Sequence, residues 1–236
     1  MSPQEKEIVL EKFKVWFKDS LLVSHKNNTE KLKDLTKFQI NPFLLFYLSN
    51  FLEGNSNSKS LAKALIYPRV LGTSITTSFG TQIQSFITKV LGAYGSTTKG
   101  IDIEFVDQID GRRKYCQLKS GPSAINREDV TTIRNHFKDI RNLARTNNLD
   151  VQLNDTIFCL IYGEEDEKNA FILEVEREFP VFIGREFWHR FTGDVNFYND
   201  LIQTITAMAN DVDMKSFLDG IINELSIQLK EKYNLD

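Results

Sequence analysis

The chain has few cysteines and prolines, and it lacks a long apolar run. Its 236 residues include two cysteines and five prolines, and every apolar stretch falls well short of the ~20 residues that span a bilayer. Cys116 and Cys159 lie in strand-like apolar runs without a nearby histidine cluster, which excludes a disulfide framework or zinc site and predicts two reduced core thiols. The charged N-terminal segment lacks the apolar core of a secretory signal, so we expect a cytoplasmic protein without a transmembrane helix.

An excess of positive charge is also absent from the chain as a whole. The formal net charge of −3 argues against a protein that coats nucleic acid with its entire surface. Residues 111–145 nevertheless contain nine basic and three acidic residues, a local balance of +6, so the rest of the chain carries −9. The positive charge is therefore concentrated in one segment, where a nucleic-acid contact is most readily built.

The order of periodic patterns predicts an α/β fold with a mixed central β-sheet flanked by helices, preceded by an N-terminal helical region. We expect residues 1–80 to form the helical region, with roles in dimerisation and DNA contact, and residues 81–236 to form a catalytic domain with C-terminal helices. Helical patterns cover residues 5–22, 42–54, 60–66, 82–91, 126–146 and 197–236. Strand patterns cover residues 101–106, 114–118, 156–162, 170–175 and 181–184, whereas the Ser/Thr-rich residues 72–80 are expected to form a loop.

Two acids and a Gln-x-Lys pair lie on the predicted hairpin of residues 101–118. Asp102 and Glu104 are two residues apart on the first strand, and Gln117 and Lys119 are two apart on the second. Because side chains alternate along a strand, each pair shares a face. If the two faces coincide, oxygen ligands and an ammonium group converge, which is the equipment for holding Mg²⁺ and activating a water beside a phosphodiester.

The same spacing also fits a solvated hairpin face with cross-strand ion pairs. Two features favour the metal site over that alternative. The remaining residues of both strands are apolar, as expected of strands that bury their other face, and a basic helix follows directly.

Longer stretches of the chain resemble the PD-(D/E)xK nuclease superfamily, and specifically type II restriction endonucleases of the PmeI kind. The similar runs are GIDIEF at 100–105, YCQLKSGP at 115–122, ALIYPRVLGTS at 64–74, RNHF at 134–137 and GREFWHR at 184–190. The resemblance extends over about residues 41–198. It implies Mg²⁺-dependent, sequence-specific cleavage of double-stranded DNA by hydrolysis of phosphodiester bonds.

Carried over to this chain, the motif's first acid is Asp102, its second acidic position is Gln117 and its lysine is Lys119. Gln117 is a departure from the usual acid, because a neutral amide contributes less to metal affinity than a carboxylate. The resemblance therefore implies Asp102 and Gln117 as metal ligands. Glu104, which projects to the same side as Asp102, is expected to be a further ligand that supplies the missing charge. Two alternatives stay open at this point: another superfamily nuclease of the Mrr-like or repair type, and a non-cleaving DNA-binding module, for which Gln117 is the best argument.

Residues around the motif are expected to contact DNA. A Gly/Pro/Ser loop leaves the motif strand, and a basic stripe follows on the next helix, although a basic helix face is also common as a solvated surface. The expected DNA contacts are Ser120, Ser123, Asn126, Arg127, Thr77 and Arg134. His136 and His189 lack partners at metal-ligand spacing and are expected to be structural, and the aromatic residues of 187–198 are expected to form a core cluster.

Palindrome-cutting enzymes usually pair two subunits, so that protein symmetry matches DNA symmetry. The resemblance and the amphipathic terminal helices together predict a homodimer.

Overall fold

Helices form both ends of the chain and enclose five strands near its middle. The computed structural model describes residues 1–96, 98–209 and 213–235. The α-helices are α1 (Pro3–Trp16), α2 (Val23–Glu30), α3 (Leu45–Glu53), α4 (Ser58–Pro68), α5 (Ile75–Val90), α6 (Arg127–Thr146), α7 (Ala170–Glu176), α8 (Arg185–Thr192), α9 (Phe197–Ala209) and α10 (Lys215–Tyr233). The strands are β1 (Tyr94–Gly95), β2 (Ile103–Val106), β3 (Arg113–Lys119), β4 (Thr156–Leu160) and β5 (Val181–Ile183). None of the helices in these ranges is both long and apolar enough to cross a membrane.

The five strands form one mixed sheet in the order β1-β2-β3-β4-β5. The first three strands pair antiparallel, and β3, β4 and β5 pair parallel. Helix α6 provides the crossover that a parallel β3–β4 pair requires. The structure thus confirms the predicted hairpin and the predicted α/β fold with a mixed sheet flanked by helices.

One face of the sheet is covered by α6 and α7. Helix α6 begins at the N-cap Asn126 and turns an apolar stripe of helical period towards the sheet. The buried apolar residues of this layer are Val130, Ile133, Phe137, Ile140, Phe158, Leu160, Ile172, Val175, Val181 and Ile183. At ~25 cal/mol per Å² of apolar surface, burying such a stripe is the main stabilisation of an otherwise highly charged helix.

On the opposite face, Phe105 of β2 packs against Phe187 and Phe191 of α8, and a second aromatic pair joins α1 to α5. The ring of Phe105 lies 4.9 Å from that of Phe191, and Phe13 lies 4.9 Å from Phe86. The indole N–H of Trp188 donates to the Ile161 carbonyl at 2.9 Å. The predicted aromatic core cluster is therefore confirmed, as are two free, buried cysteines.

A buried ion cluster secures the turn end of the β2–β3 hairpin. Lys114 Nζ lies 3.1 Å from Asp155 Oδ1, and the Arg112 guanidinium binds the same carboxylate from the other side, with Nη2 at 2.6 Å. The side chains of Lys114 and Asp155 are 1% and 2% exposed. Burial alone would raise the pKa of Asp155, but Arg112, the Gln152 N–H and Lys114 outweigh it and lower the pKa to about 2.

The chain divides into two compact units, each built from two stretches of sequence. The sheet unit consists of residues 1–15 and 80–206, and a helical unit consists of residues 16–79 and 207–236. The helical unit has its own apolar core, formed mainly between α4 and α10 by Leu61, Ala62, Ile66, Val70, Ile221, Ile222, Leu225 and Leu229. Helix α10 therefore packs in the helical unit, and the division into domains of residues 1–80 and 81–236 stays a prediction.

Two predicted elements are wrong. Residues 72–80 form no loop, because a π-helical turn at Arg69–Ser74 follows Pro68 and carries the chain directly into α5. The hydroxyl of Thr76 donates to the Gly72 carbonyl one turn earlier, which satisfies the hydroxyl within the helix. A Ser/Thr-rich segment of this kind can therefore be helical.

Residues 170–175 are helix α7 and not a strand. Asn169 caps this helix by accepting the N–H groups of Phe171 and Ile172 at 2.9 and 3.1 Å. The buried Ile172 and Val175 are three residues apart, which is a helical spacing. In a short apolar run the cap decides the structure, and periodicity alone is ambiguous.

Candidate active site

The hairpin register brings the two predicted pairs onto one face of the sheet. Glu104 lies opposite Tyr115, and Ile103 lies opposite Cys116. Continuing by one residue sets Asp102 opposite Gln117, and the Asp102 N–H still donates to the Cys116 carbonyl at 3.0 Å. Since directly opposed residues point to the same side, Asp102, Glu104, Gln117 and Lys119 share the face that α6 covers.

Asp102 lies just before β2, and its carboxylate is partly removed from water. Oδ2 accepts the Leu118 N–H at 2.7 Å, which ties the side chain to the neighbouring strand. Burial raises the pKa of Asp102, while the Leu118 N–H and the charge of Lys119 act in the opposite direction. A raised pKa in a partly buried carboxylate indicates a group whose charge lacks a full counterpart in the protein.

The Gln117 amide has one satisfied end and one unsatisfied end. Its Nε2 lies 3.3 Å from Nδ1 of His136 on α6. Its Oε1 is buried and has no hydrogen-bond partner among the residues that the structure describes. A buried acceptor without a partner costs about 1–3 kcal/mol, so this oxygen is suited to a ligand that approaches from outside the chain.

The imidazole of His136 is held close to the backbone. A Cβ added to Gly100 would lie 2.1 Å from Cγ of His136, so no other residue fits at position 100 without moving the ring. Gly100 also has a φ of +82°, a conformation that favours glycine. Spacing along the chain does not pair His136 with Gln117, because the two residues are 19 apart and lie on different elements.

Lys119 lies at the end of β3 and binds a residue that the sequence analysis missed. Its Nζ is 2.8 Å from Asp129 Oδ1 in the first turn of α6. Asp129 also accepts the Asn126 N–H at 2.8 Å and so completes a capping box. Burial would raise the pKa of Asp129, but Lys119 and the Asn126 N–H outweigh it and lower the pKa. The Asn-x-x-Asp spacing at 126–129 is the signal that could have located this residue.

Glu104 lies on the same face, but its carboxylate already has partners. Oε1 accepts the Ser96 hydroxyl at 2.7 Å, and Oε2 lies 3.3 Å from Arg113 Nη1. The side chain is 13% exposed. Glu104 thus contributes negative charge beside Asp102, with both of its oxygens engaged.

The residues on this face fit a magnesium ion held by few protein ligands. Across the described ranges, no group of three or more His, Cys, Asp and Glu residues is placed to hold a metal. The suitable donors are the Asp102 carboxylate and the unpartnered Gln117 Oε1. Mg²⁺ commonly takes one or two protein oxygens and fills its remaining positions with water and substrate phosphate, so this small donor set is sufficient.

Comparison with known families identifies the family to which the chain belongs. The model of the family described as type II restriction endonuclease EcoO109I matches residues 11–213, which is most of the chain. The chain belongs to the EcoO109I family of type II restriction endonucleases. No curated protein matches the chain significantly. This EcoO109I-family member is a site-specific deoxyribonuclease that cleaves DNA, which decides against the non-cleaving DNA-binding module.

The predicted DNA-contact residues of this endonuclease are placed in different ways. Ser123 and Arg127 are exposed beside the end of β3, and Ser120 is partly exposed. Asn126 is exposed too, but its Oδ1 is engaged by the Glu128 and Asp129 N–H groups. Three of these residues lie in the connection of residues 120–126 between β3 and α6, and Arg127 is the first residue of α6.

Arg134 and Thr77 lie outside this connection. Arg134 binds Glu174 and Glu178 through Nη1 and Nη2 at 2.9 and 2.7 Å, so its charge is compensated within the protein, and its DNA contact stays a prediction. Thr77 is exposed on α5 and not on a loop. It lines a cleft of about 290 Å³ in the helical unit, together with Asn28, Lys31, Lys37, Arg69, Thr73 and Ser74.

Proposed function

We propose that this EcoO109I-family endonuclease hydrolyses DNA with a Mg²⁺ ion bound by Asp102 and Gln117, and that Lys119 assists the attacking water. The observation that carries the proposal is the buried Gln117 Oε1, which lacks a hydrogen-bond partner in the described part of the chain and lies on the strand opposite Asp102. A neutral oxygen and a single carboxylate are adequate for Mg²⁺ when substrate phosphate supplies further oxygens. The likeness to PmeI-type enzymes and a cytoplasmic location stay predictions.

When bound, Mg²⁺ lowers the pKa of a water and neutralises charge that develops on the scissile phosphate. The Lys119 ammonium donates hydrogen bonds to the attacking water and to the phosphate, and Asp129 at 2.8 Å keeps the ammonium in place. The water oxygen bonds to phosphorus and releases a proton to solvent as the bond from phosphorus to the 3′ oxygen breaks, and the 3′ oxygen takes up a proton from solvent. The products are a 5′-phosphate and a 3′-hydroxyl.

Digestion of unmethylated plasmid tests this proposal. With Mg²⁺ the wild type should give discrete fragments, and sequencing their ends should locate one recurring site. Lys119→Ala and Asp102→Asn should each slow cleavage by about 10²–10³-fold, because each removes a group that stabilises the transition state. Lys59→Ala, which changes an exposed lysine on α4, is the matched control and should cleave as the wild type does. Cleavage by Lys119→Ala at the control rate would contradict the proposal.

Glu104 is proposed to act as a compensating charge and not as a direct ligand, since Ser96 and Arg113 occupy its carboxylate. Glu104→Gln should therefore weaken Mn²⁺ binding by only a few-fold, the scale expected of a charge acting at a distance in a partly solvated site. Asp102→Asn should remove Mn²⁺ binding. Equal losses in the two variants would instead make Glu104 a ligand.

We also propose that the Thr77 cleft binds a phosphate of the DNA backbone. Lys31, Lys37 and Arg69 line it, and none of its described lining residues carries a carboxylate. Ser74 Oγ is buried there and has no hydrogen-bond partner among the described residues. Three cations with hydroxyl donors are suited to a phosphodiester.

Salt dependence of DNA binding separates this contact from a general loss of affinity. Each phosphate contact contributes about 0.9 to the slope of log affinity against log salt. Lys31→Ala and Arg69→Ala should each make this negative slope shallower, reducing its magnitude by about 1. Lys59→Ala should leave it unchanged. Slopes equal to the wild type in both cleft variants would exclude the cleft as a phosphate site.

The proposed homodimer is supported by an exposed apolar surface on the helical unit, hereafter the α3 face. Phe43 and Phe51 are 89% and 78% exposed, and Leu71 is 68% exposed. Beside them is a groove of about 520 Å³ lined by Leu48, Phe51, Leu52, Ala64, Tyr67, Pro68, Leu71 and Gly72. Large contiguous apolar patches are uncommon on monomers and mark interaction surfaces. We propose a second copy of the chain as the occupant, because a two-fold dimer can cut both strands of a palindromic site.

A further inference from the structure

We propose that His136 is a positioning residue that fixes the orientation of the Gln117 amide, so that its oxygen and not its nitrogen faces the divalent cation. The inference rests on the proposed role of Gln117 as a metal ligand. It gives a reason why an amide serves at a position where the family resemblance leads one to expect an acid.

An amide differs from a carboxylate because its two ends are not equivalent. Oε1 can bind a cation, whereas the Nε2 amide group carries two hydrogens and cannot. A glutamine ligand therefore needs a neighbour that distinguishes the ends, and a glutamate at the same position needs none.

His136 provides that distinction through Nδ1, which lies 3.3 Å from Gln117 Nε2. With the imidazole proton on Nε2, the lone pair of Nδ1 accepts an amide N–H. Oε1 is then turned away from the ring and left without a partner among the described residues. The arrangement satisfies the nitrogen end and leaves the oxygen end open.

The ring cannot easily leave this position. Gly100 packs so closely that a Cβ at this residue would lie 2.1 Å from Cγ and 2.2 Å from Nδ1 of His136. The neighbouring Phe137 is fully buried in the α6 layer and anchors the helix that carries His136. The ring is thereby held between the Gly100 backbone and the Gln117 amide.

Binding of Mn²⁺ alone, followed by the paramagnetic signal of the free ion, tests the inference without DNA cleavage. His136→Phe keeps a ring but removes the acceptor, and it should weaken Mn²⁺ binding about tenfold, because the oriented amide then has an unpaired buried N–H group. His136→Asn places an acceptor oxygen near the position of Nδ1 and should restore most of the affinity.

The deciding comparison repeats His136→Phe in the Gln117→Glu background. A carboxylate presents an oxygen in either orientation, so the same change should there alter the Mn²⁺ affinity by less than about threefold. Equal losses in the two backgrounds, or no rescue by His136→Asn, would overturn the positioning role and make His136 a structural residue. If His136→Phe fails to fold, His136→Leu, which also removes the acceptor, and its Gln117→Glu double variant carry the same comparison, and equal losses in the two backgrounds overturn the inference.

Failure of the underlying function gives a different pattern. If Gln117→Ala and Asp102→Asn bind Mn²⁺ as tightly as the wild type, neither residue is a ligand, and the proposed metal site itself is wrong. If those two variants lose binding while His136→Phe retains it, the metal site stands and only the role of His136 fails.

Discussion

The charge on Asp102 is unfavourable in the protein without a bound metal. Burial raises the pKa of Asp102 although the Leu118 N–H and Lys119 favour its charged form. A carboxyl whose pKa is raised by folding costs stability as the pH rises through that pKa, and this cost is absent in acid. The negative charge that suits Asp102 to a cation therefore destabilises the metal-free protein at neutral pH.

Asp102→Asn should consequently raise the thermal midpoint by a few degrees at pH 8 in EDTA, since it removes the charge but keeps an acceptor for the Leu118 N–H. The gain should shrink as the pH falls towards 4. Thermal unfolding followed by circular dichroism measures both effects. Added Mg²⁺ should stabilise the wild type and not the variant. A lower midpoint for the variant at pH 8 would contradict this account of Asp102.

Asp155 is the opposite case, because its partners outweigh burial and lower its pKa to about 2. Its contribution to stability is present above the ordinary carboxyl pKa and is lost as the pH falls from about 4 towards 2. Asp155→Asn should reduce the free energy of unfolding by about 2–4 kcal/mol at pH 7, because the buried Lys114 then loses its buried counter-charge and keeps only the more exposed Asp110.

The matched control for Asp155 is Asp150→Asn. Asp150 binds the same arginine, Arg112, at 3.3 Å, but its side chain is 79% exposed. Exposed pairs contribute little, so urea unfolding should show a change below about 1 kcal/mol. Similar losses in the free energy of unfolding in both variants would mean that the contribution of Asp155 to stability does not depend on its burial.

At the scale of elements, local sequence predicted the hairpin better than the helices around it. Alternating apolar residues and the turn between the strands determine how the strands pair. Spacing therefore predicted which side chains share a face, and the observed register places Asp102, Glu104, Gln117 and Lys119 on the same face. The loop predicted for residues 72–80 and the strand predicted for residues 170–175 were wrong. Their secondary structure depends on a π-helical turn after Pro68 and on the Asn169 cap, respectively. The pairs Lys119–Asp129 and Gln117–His136 depend on how α6 packs on the sheet, which spacing along the chain does not encode.

The start of α6 combines a cap with a proposed DNA contact, and substitutions at Asn126 separate the two roles. Asn126→Ala removes the acceptor for the Glu128 and Asp129 N–H groups and should cost about 1 kcal/mol in the free energy of unfolding. Asn126→Asp keeps the cap but adds a negative charge, so it should keep the stability and weaken DNA binding. The two measurements are urea unfolding and gel-shift affinity. An unfolding free energy for Asn126→Ala equal to that of the wild type would show that the cap contributes nothing.

At the scale of the whole molecule, each compact unit contains surfaces suited to a different task. The sheet unit carries the Asp102, Gln117 and Lys119 site, and the helical unit carries the Thr77 cleft and the α3 face. Because both units are built from two separate stretches of chain, neither is a simple terminal segment that can be removed. Tests of the dimer therefore need substitutions in the full chain.

The double variant Phe43→Ser, Phe51→Ser should shift the protein from dimer to monomer, because it replaces two of the most exposed apolar side chains of the α3 face by polar ones. Sedimentation at several concentrations gives the mass of the particle directly. Leu153→Ser is the control: Leu153 is 63% exposed and belongs to the sheet unit, so its removal should leave the dimer intact. On a substrate with two scissile strands, the monomeric variant should cut one strand or neither, while Leu153→Ser should still cut both. A wild-type protein that sediments as a monomer with DNA bound would contradict the dimer, and a dimeric double variant would place its interface elsewhere.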